Sequence, residues 1–564
     1  MIRSAVPRRS TPTVPSRAGR REWFGLAVLF LPTLLVAIDN TVLGFALPAI
    51  SAALVPSATQ VLWIVDVYPL VLAGLLVTMG TLGDRIGRRR ALLIGVSGFG
   101  AVSFAAAFAT DAAQLVGARA LLGFFGAMLM PATLALLRTL FQDRAQRRLA
   151  VAIWATGFAA GAALGPILGG LLLQHFWWGA VFLVNVPVMV ALLVLGFLVL
   201  PESRMPVPGR IDPLGVLLSL LAMGPAVLAI TAVAHDGVTG TAVLALLVAA
   251  TAGVLFVRRA RARLAAGEEP LLDVSLFASP VLRLAALANA TTMFALTGLL
   301  FFSAQFLMLV AGLAPMDAAL VLLPGFVVTM LAGLAAARLG RMFPLRVLVP
   351  VGLLTAAAGF LLATALGSGH AVALLAAANV LVGAGIGLSE TVTNDAILAA
   401  APADRVGSAS AVSETAYEIG AVLGTAVLGS VLSAAYRGTV AVPSSVGPVE
   451  TGTASETLGG AVATAARLGG NEAAALLASA RSAFITGIAL TSLVGAGVLV
   501  VVALTVALGL RPRATSAVRR LEQAHEVDDL PGERAQHGQP GQAHEPIDHR
   551  RRPVHEQVGA RAAG

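Results

Sequence analysis

The chain reads as an all-α protein that crosses a membrane 14 times, and three observations carry that reading. Of its 564 residues, 57% are hydrophobic and only 12% are charged, with a mean hydropathy of +0.87, more apolar material than a soluble core needs. Apolar runs of roughly 20 residues, enough to cross about 30 Å of hydrocarbon, recur between short breaks rich in Arg, Gly or Pro. The charges alternate along these breaks, as a chain threaded back and forth through a bilayer requires.

The expected helices, numbered 1 to 14, cover 23–46, 60–82, 91–109, 113–137, 149–173, 179–200, 213–233, 241–258, 284–310, 316–337, 346–367, 371–398, 407–435 and 483–509. Helix 1 follows a polar, Arg-rich segment (1–22), but its apolar run is too long for a signal-peptide core and has no persuasive cleavage site, so it is expected to stay as an anchor. Helices 2, 4, 6, 8, 10 and 12 each end in a basic break. Arg85, Arg88, Arg89 and Arg90 follow helix 2, and Arg138, Arg144, Arg147 and Arg148 follow helix 4. Arg204 and Arg210 follow helix 6; Arg258, Arg259, Arg261 and Arg263 lie at and beyond the end of helix 8. Arg338, Arg341 and Arg346 follow helix 10, and Arg405 follows helix 12. The loops after helices 1, 3, 5, 7, 9 and 11 hold no Arg, so the pattern places both termini in the cytoplasm of a cytoplasmic-membrane protein.

This placement also disposes of nucleic acid as a partner. All 38 basic residues are Arg and the net charge is +9, yet the charge marks topology and forms no groove-binding patch. With no Cys there are no disulfides and no thiolate metal site, and no metal site is expected. Five of the eight His fall in the tail 511–564 without fixed ligand spacing, and that tail reads as disordered cytoplasm. Residues 436–482 read as an outer loop, with Glu456 to Arg481 patterned for one weakly amphipathic helix. There is no G-x-S-x-G, no H-E-x-x-H and no P-loop, which argues against an enzyme and against an ATP-driven pump.

Charges inside the apolar runs are the candidate functional residues. The run "LWIVDVYPLVLAGLLV" (62–77) holds Asp66 with Trp63 on the same face at i−3, an aromatic surface beside a carboxylate that suits a lipophilic cation. At about 1.5 Å per residue, Asp39, Asp66 and Arg119 reach similar depths, and their insertion cost of ~2.5–3.5 kcal/mol each means that they face a cavity or one another. A structural ion-pair cluster and a proton- or cation-handling site both satisfy that condition. In the C-terminal half, Glu414 shares a face with Tyr417 and Glu418, and Glu390 lies at mid-depth in helix 12 with Asn394 one turn on. Phe294, Phe301, Gln305 and Met308 form one helical stripe, read either as ordinary packing or as the deformable wall of a cavity.

Four motifs then narrow the class. "GTLGDRIGRRRAL" (80–92) places Gly80, Gly83 and Gly87 for a tight turn, with Asp84, Arg85 and Arg88 between helices 2 and 3. By composition it is equally an ordinary basic loop, but position for position it resembles the signature of the major facilitator superfamily, where this loop is a gate latch. "LVGARALLGFFGA" carries Arg119 and Gly123, similar to the helix-4 signature of proton-coupled facilitators. "GFAAGAALGPILGG" resembles the antiporter motif of helix 5, with Gly157, Gly161, Gly165, Gly169 and Gly170 allowing close helix approach and Pro166 bending the helix. "LLVAIDNTVLGFALP", with Asp39 and Pro48, resembles the helix-1 motif of the 14-helix drug:proton antiporters.

The resemblance covers residues 23–510, and the segments "FLVNVPV", "LPES" and "LLDVSLF" look most like quaternary-ammonium exporters of the QacA/SmvA type. It implies a 6+2+6 major facilitator fold: an N-terminal six-helix half (23–200), an inserted pair (201–270) and a C-terminal half (271–510). It implies a monomeric carrier in membrane lipid that exports small lipophilic cations by alternating access, with the proton as coupling ion and no cofactor. It also implies substrate or proton roles for Asp39, Asp66, Arg119, Glu390, Glu414 and Glu418, and a cavity lined by Trp63, Tyr417, Phe301 and Met308. Where relatives that handle divalent cations carry an acid in helix 10, this chain has Thr329, so monovalent cations are expected. A dedicated exporter of a self-made antibiotic or metabolite is the alternative with the same fold.

Overall fold

A computed structural model describes residues 18–204, 212–268, 270–367, 370–401 and 406–510. The expectations for the first 17 residues, for Arg210 and Arg405 and for the tail 511–564 lie outside the described residues. Within them run 14 helices long and apolar enough to cross a membrane: α1 (Arg20–Leu54), α2 (Ala58–Ile86), α3 (Arg88–Ala107), α4 (Ala112–Leu140), α5 (Leu149–His175), α6 (Ala180–Val199), α7 (Pro213–Ala234), α8 (Gly240–Ala265), α9 (Pro280–Val310), α10 (Pro315–Leu339), α11 (Leu345–Ala363), α12 (Ala371–Ala399), α13 (Ala409–Thr439) and α14 (Gly470–Gly509).

Local chemistry accounts for the helix boundaries. Ser57 caps α2 by accepting from the Gln60 amide while Gln60 reaches back, and Asp111 caps α4 by accepting from Gln114. Gly87 ends α2 with φ 111°, a conformation that a Cβ disfavours, and a Cβ there would also strike the Glu202 carboxylate. Prolines lie inside α1, α2, α4 and α5, tolerated because neighbouring helices cover the freed carbonyls. Two wide turns, Phe306–Val310 in α9 and Gly424–Leu428 in α13, interrupt the regular ladder.

The packing divides as 6+2+6. In the N-terminal half α1 packs on α5 and α2 on α4; in the C-terminal half α12 packs on both α10 and α11, and α11 packs on α14. The inserted helices α7 and α8 pack mainly on each other, while α7 also leans on α2 and α13. Leu70 of α2, Val227 of α7, and Val422 and Ala426 of α13 form one apolar cluster along that seam.

One expectation fails in the outer loop. Residues 456–481 do not form a single helix: Pro448–Glu456 and Leu458–Leu468 are separate short helices, and α14 starts at Gly470, ahead of the expected residue 483. Thr457, extended and capping the next helix through Gly460, makes the first break. Gly469 and Gly470, at φ 71° and 61°, make the second, and the Ala-rich stretch beyond them has nothing to stop it joining α14.

The halves meet at the face opposite the Arg-rich loops. Gly429 of α13 lies against Leu62 of α2 and Phe301 of α9, and Gly170 of α5 abuts Pro315 and Met316 of α10. The outer loop crosses the same junction: the Ala58 amide of α2 donates to Glu456 at 3.1 Å, and Gly459 presses on Ser51 of α1. At the basic face, by contrast, the Trp23–Phe141 edge contact at 5.1 Å stays within the N-terminal half.

Candidate functional site

The loop between α2 and α3 is a compact clasp. Arg88 Nε donates to Asp84 at 2.8 Å, and the Arg88 amide donates to the Ser203 carbonyl at 2.9 Å. The Arg89 amide donates to Glu202 at 3.2 Å, and its guanidinium to the Leu200 carbonyl at 3.1 Å. Gly80 admits Pro131 of α4, Gly83 admits Ala91, and Arg85 is exposed at the surface. The clasp therefore ties α2 and α3 to the ends of α4 and α6, all within one half.

The glycines of α5 form a continuous track for α1. Gly157 faces Phe30 and Thr33, Gly161 faces the Leu34 carbonyl and Ala37, Gly165 faces Thr41, and Gly169 faces Val42 and Phe45. A Cβ at Gly161 or Gly165 would collide with its neighbour, so these positions let the two backbones approach. Gly170 turns the other way, onto α10.

Arg119 Nη1 of α4 donates to Asp39 Oδ2 of α1 at 2.6 Å, and both side chains are almost wholly buried. Arg119 Nε donates to the Ile64 carbonyl of α2 at 3.1 Å, and its guanidinium lies 4.5 Å from the centre of the Tyr68 ring. The other Asp39 oxygen accepts from Asn185 Nδ2 of α6 at 3.2 Å, and Asn185 also reaches Ser103 Oγ of α3 at 3.3 Å. The pair is thus bonded at both ends, which a buried pair needs to offset desolvation.

Asp66 does not join this pair. It is 0% exposed and neither carboxyl oxygen has a hydrogen-bond partner, although Thr425 of α13 lies close by. Trp63 packs half-buried on the α2–α7–α13 apolar cluster.

The acids of the C-terminal half converge. Glu414 of α13 lies within Coulomb range of Glu390 on α12 and of Glu418 one turn on, and Tyr417 is close to all three. Glu390, Glu414 and Tyr417 are half-buried, whereas Glu418 is 7% exposed and also reaches Tyr68 across the junction of the halves. Below them, Asn289 donates to Ser413 Oγ at 3.0 Å and Ser413 donates to Asn394 at 2.9 Å, tying α9, α13 and α12 together.

Of the two readings of the α9 stripe, packing is the one that Phe294 and Phe301 fit in this state. Phe294 and Phe301 are core residues against Gly424 and Gly429 of α13, so this part of the stripe is packing between helices. Met308 falls in the wide turn after Gln305, where the 3.6-residue repeat that placed it on the stripe no longer holds. Thr329 bonds back to the Gly325 carbonyl at 2.9 Å beside Gly383. Sequence reasoning missed Asn185, Ser103 and Tyr68 as partners of the pair. Asn185, a lone amide in "FLVNVPV", carried the same signal that singled out Asp66.

Comparison with known proteins agrees with this architecture. Residues 29–425 match the family model described as Major Facilitator Superfamily. The chain is 52% identical over 502 residues to the "Multidrug efflux pump LfrA" of Mycolicibacterium smegmatis, covering 89% of this chain and 98% of the relative. It is 35% identical over 492 residues to the "Methyl viologen resistance protein SmvA" of Salmonella typhimurium, covering 82% and 93%. It is also 35% identical over 504 residues to the "Tetracenomycin C resistance and export protein" of Streptomyces glaucescens, covering 87% and 92%. A solved bacterial homologue of the lysosomal transporter Spinster, inward-facing and occupied, superposes with a TM-score of 0.63 at 18% identity, covering 87% of this chain and 97% of that one, a likeness of fold alone. With the family match spanning most of its length, the chain belongs to the Major Facilitator Superfamily, as a multi-pass membrane transporter and not an enzyme.

Proposed function

We propose that this transporter exports small lipophilic cations in exchange for protons, working as a single chain in the cytoplasmic membrane with no cofactor and with its Arg-rich face and both termini in the cytoplasm. The observation that carries this reading is Asp66, a wholly buried carboxyl with no hydrogen-bond partner in an apolar seam. An unpaired charge in such a place costs several kcal/mol, so the group holds a proton or receives a cation. Asp39 is paired with Arg119, and Glu390, Glu414 and Glu418 form a separate acidic cluster in the C-terminal half, so among the described residues buried acids outnumber the one buried Arg, which favours cationic cargo. The names of two relatives, a multidrug efflux pump and a methyl viologen resistance protein, support export of this kind.

Alternating access supplies the cycle. The halves touch at the face opposite the arginines, which supports a state closed on that side, and in the proposed cycle drug loads from the basic side. Proton binding and drug binding compete for the same acids, which is the coupling an exchanger needs. The test is ethidium efflux from whole cells: a protonophore should abolish it while cellular ATP is held constant. Efflux that continues at its normal rate without a proton gradient would reject the reading. A second reading, self-resistance to one endogenous antibiotic, is favoured by the likeness to the tetracenomycin C exporter and predicts efflux confined to one compound class.

A further inference from the structure

Among the described residues, Asn185 is the one neutral side chain bonded to the buried ion pair. Asn185 lies in the second turn of α6, whose backbone stays helical through Val184 at φ −61° and ψ −25°. It is 0% exposed. Its Nδ2 donates to Asp39 Oδ1 at 3.2 Å and lies 3.3 Å from Ser103 Oγ, while its own Oδ1 has no partner.

The carboxyl of Asp39 is therefore divided between two donors, the Arg119 guanidinium on Oδ2 and the Asn185 amide on Oδ1. An ion pair held by one contact can pivot; held at both oxygens, its plane and its distance to Arg119 are fixed. The groups facing this site from the surrounding helices are Arg119 and the Tyr68 ring over it, Ser103, and Glu418, which lies within Coulomb range of Tyr68.

We propose that Asn185 is a positioning residue for proton exchange, holding Asp39 against Arg119 through the second carboxyl oxygen and so setting the pH at which this pair lets transport proceed. The proposal rests on the proton-coupled reading above. It acts through Asp39 and touches no cargo. Removing the donor leaves Asp39 free to turn and leaves Ser103 unpaired, so the pair releases and accepts its proton over a different pH range while the C-terminal acids are untouched.

The experiment uses the full chain in vesicles, with tetraphenylphosphonium as cargo and pH varied from 5.5 to 8.5. Asn185→Ala should lower proton-driven exchange about tenfold and shift its pH optimum, while tetraphenylphosphonium binding and drug-for-drug exchange, which needs no net proton movement, stay within about twofold of wild type. Asn185→Asp, nearly isosteric, guards against a folding defect: it places a second acid beside Asp39 and should confine exchange to the acidic end of the range. Asn185→Gln, which keeps the amide donor, should recover part of the wild-type profile. An unchanged pH profile in both the Ala and the Asp variants would overturn the proposal, as would a parallel loss of proton-driven and drug-for-drug exchange in both. Wild-type exchange that ignores the proton gradient would instead overturn the coupling reading, and the proposal with it.

Discussion

Asp39 and Asp66 lie in neighbouring helices at comparable expected depth, yet their surroundings assign them different work. Asp39 is held at both carboxyl oxygens by Arg119 and Asn185, whereas Asp66 has only the Thr425 hydroxyl close by and no hydrogen-bond partner. A group with no internal partner is free to take a ligand. Asp66→Asn should therefore weaken tetraphenylphosphonium binding to the purified protein about tenfold, with a change below about twofold for a neutral hydrophobic dye, since only the cation loses a Coulomb partner. Equal affinity for both ligands together with normal efflux would make Asp66 a structural acid. That these residues matter was legible in the sequence, because a charge in an apolar run is costly wherever it points. Which residues meet was not: depth along a helix is given by counting, but rotation about its axis is set by partners, so Asn185 and Tyr68 went unnoticed.

At the scale of elements, the 14 spans were legible because length and hydropathy decide them, and the glycine track of α5 was legible because close packing has a four-residue signature. The break-up of the outer loop was not, since Ala-rich sequence is compatible with one helix or three until its glycines show their φ angles. The place of Met308 relative to the α9 stripe was not legible for a related reason, because the wide turn at Phe306–Val310 shifts the helical phase without any marker in composition. The inserted pair α7–α8 is tied at its basic end by Asp212, which caps α7 through the Gly215 amide at 2.9 Å and accepts from Arg259 Nε at 2.8 Å. Burial alone would raise the Asp212 carboxyl, but the hydrogen bonds from Arg259 and Gly215 and the charges of Arg259 and Arg263 outweigh it and hold the group below its ordinary value. A depressed value stabilises the fold above the unfolded-state value near 3.9, and that contribution is lost as the pH falls through the lower folded value. Asp212→Ala should thus lower thermal stability at pH 7, by about 1 kcal/mol from the cap alone, and the difference from wild type should shrink as the pH falls through the lowered folded value. A difference that persists unchanged into acid would mean that the charge of Asp212 is irrelevant.

For the whole molecule, the arrangement of contacts explains how buried acids can serve two sides of a membrane. The halves join through Leu62, Gly429 and Phe301 and through Gly170 and Met316 at one face, while the clasp of Asp84 and Arg88 at the other face stays within its own half. In the proposed cycle, rocking about the intervening acids would exchange which face is shut. Glu418 and Tyr68 stand on opposite sides of that junction, within Coulomb range of each other. In the proposed exchange, cation and proton move in opposite directions through this one chain. Purified protein in vesicles with an acidic lumen, no nucleotide, and the membrane potential clamped by valinomycin and potassium tests it most directly. Added tetraphenylphosphonium should accumulate in the lumen while the lumen turns alkaline, and Asp66→Asn should do neither. Accumulation with no change in luminal pH, or none until ATP is supplied, would contradict it.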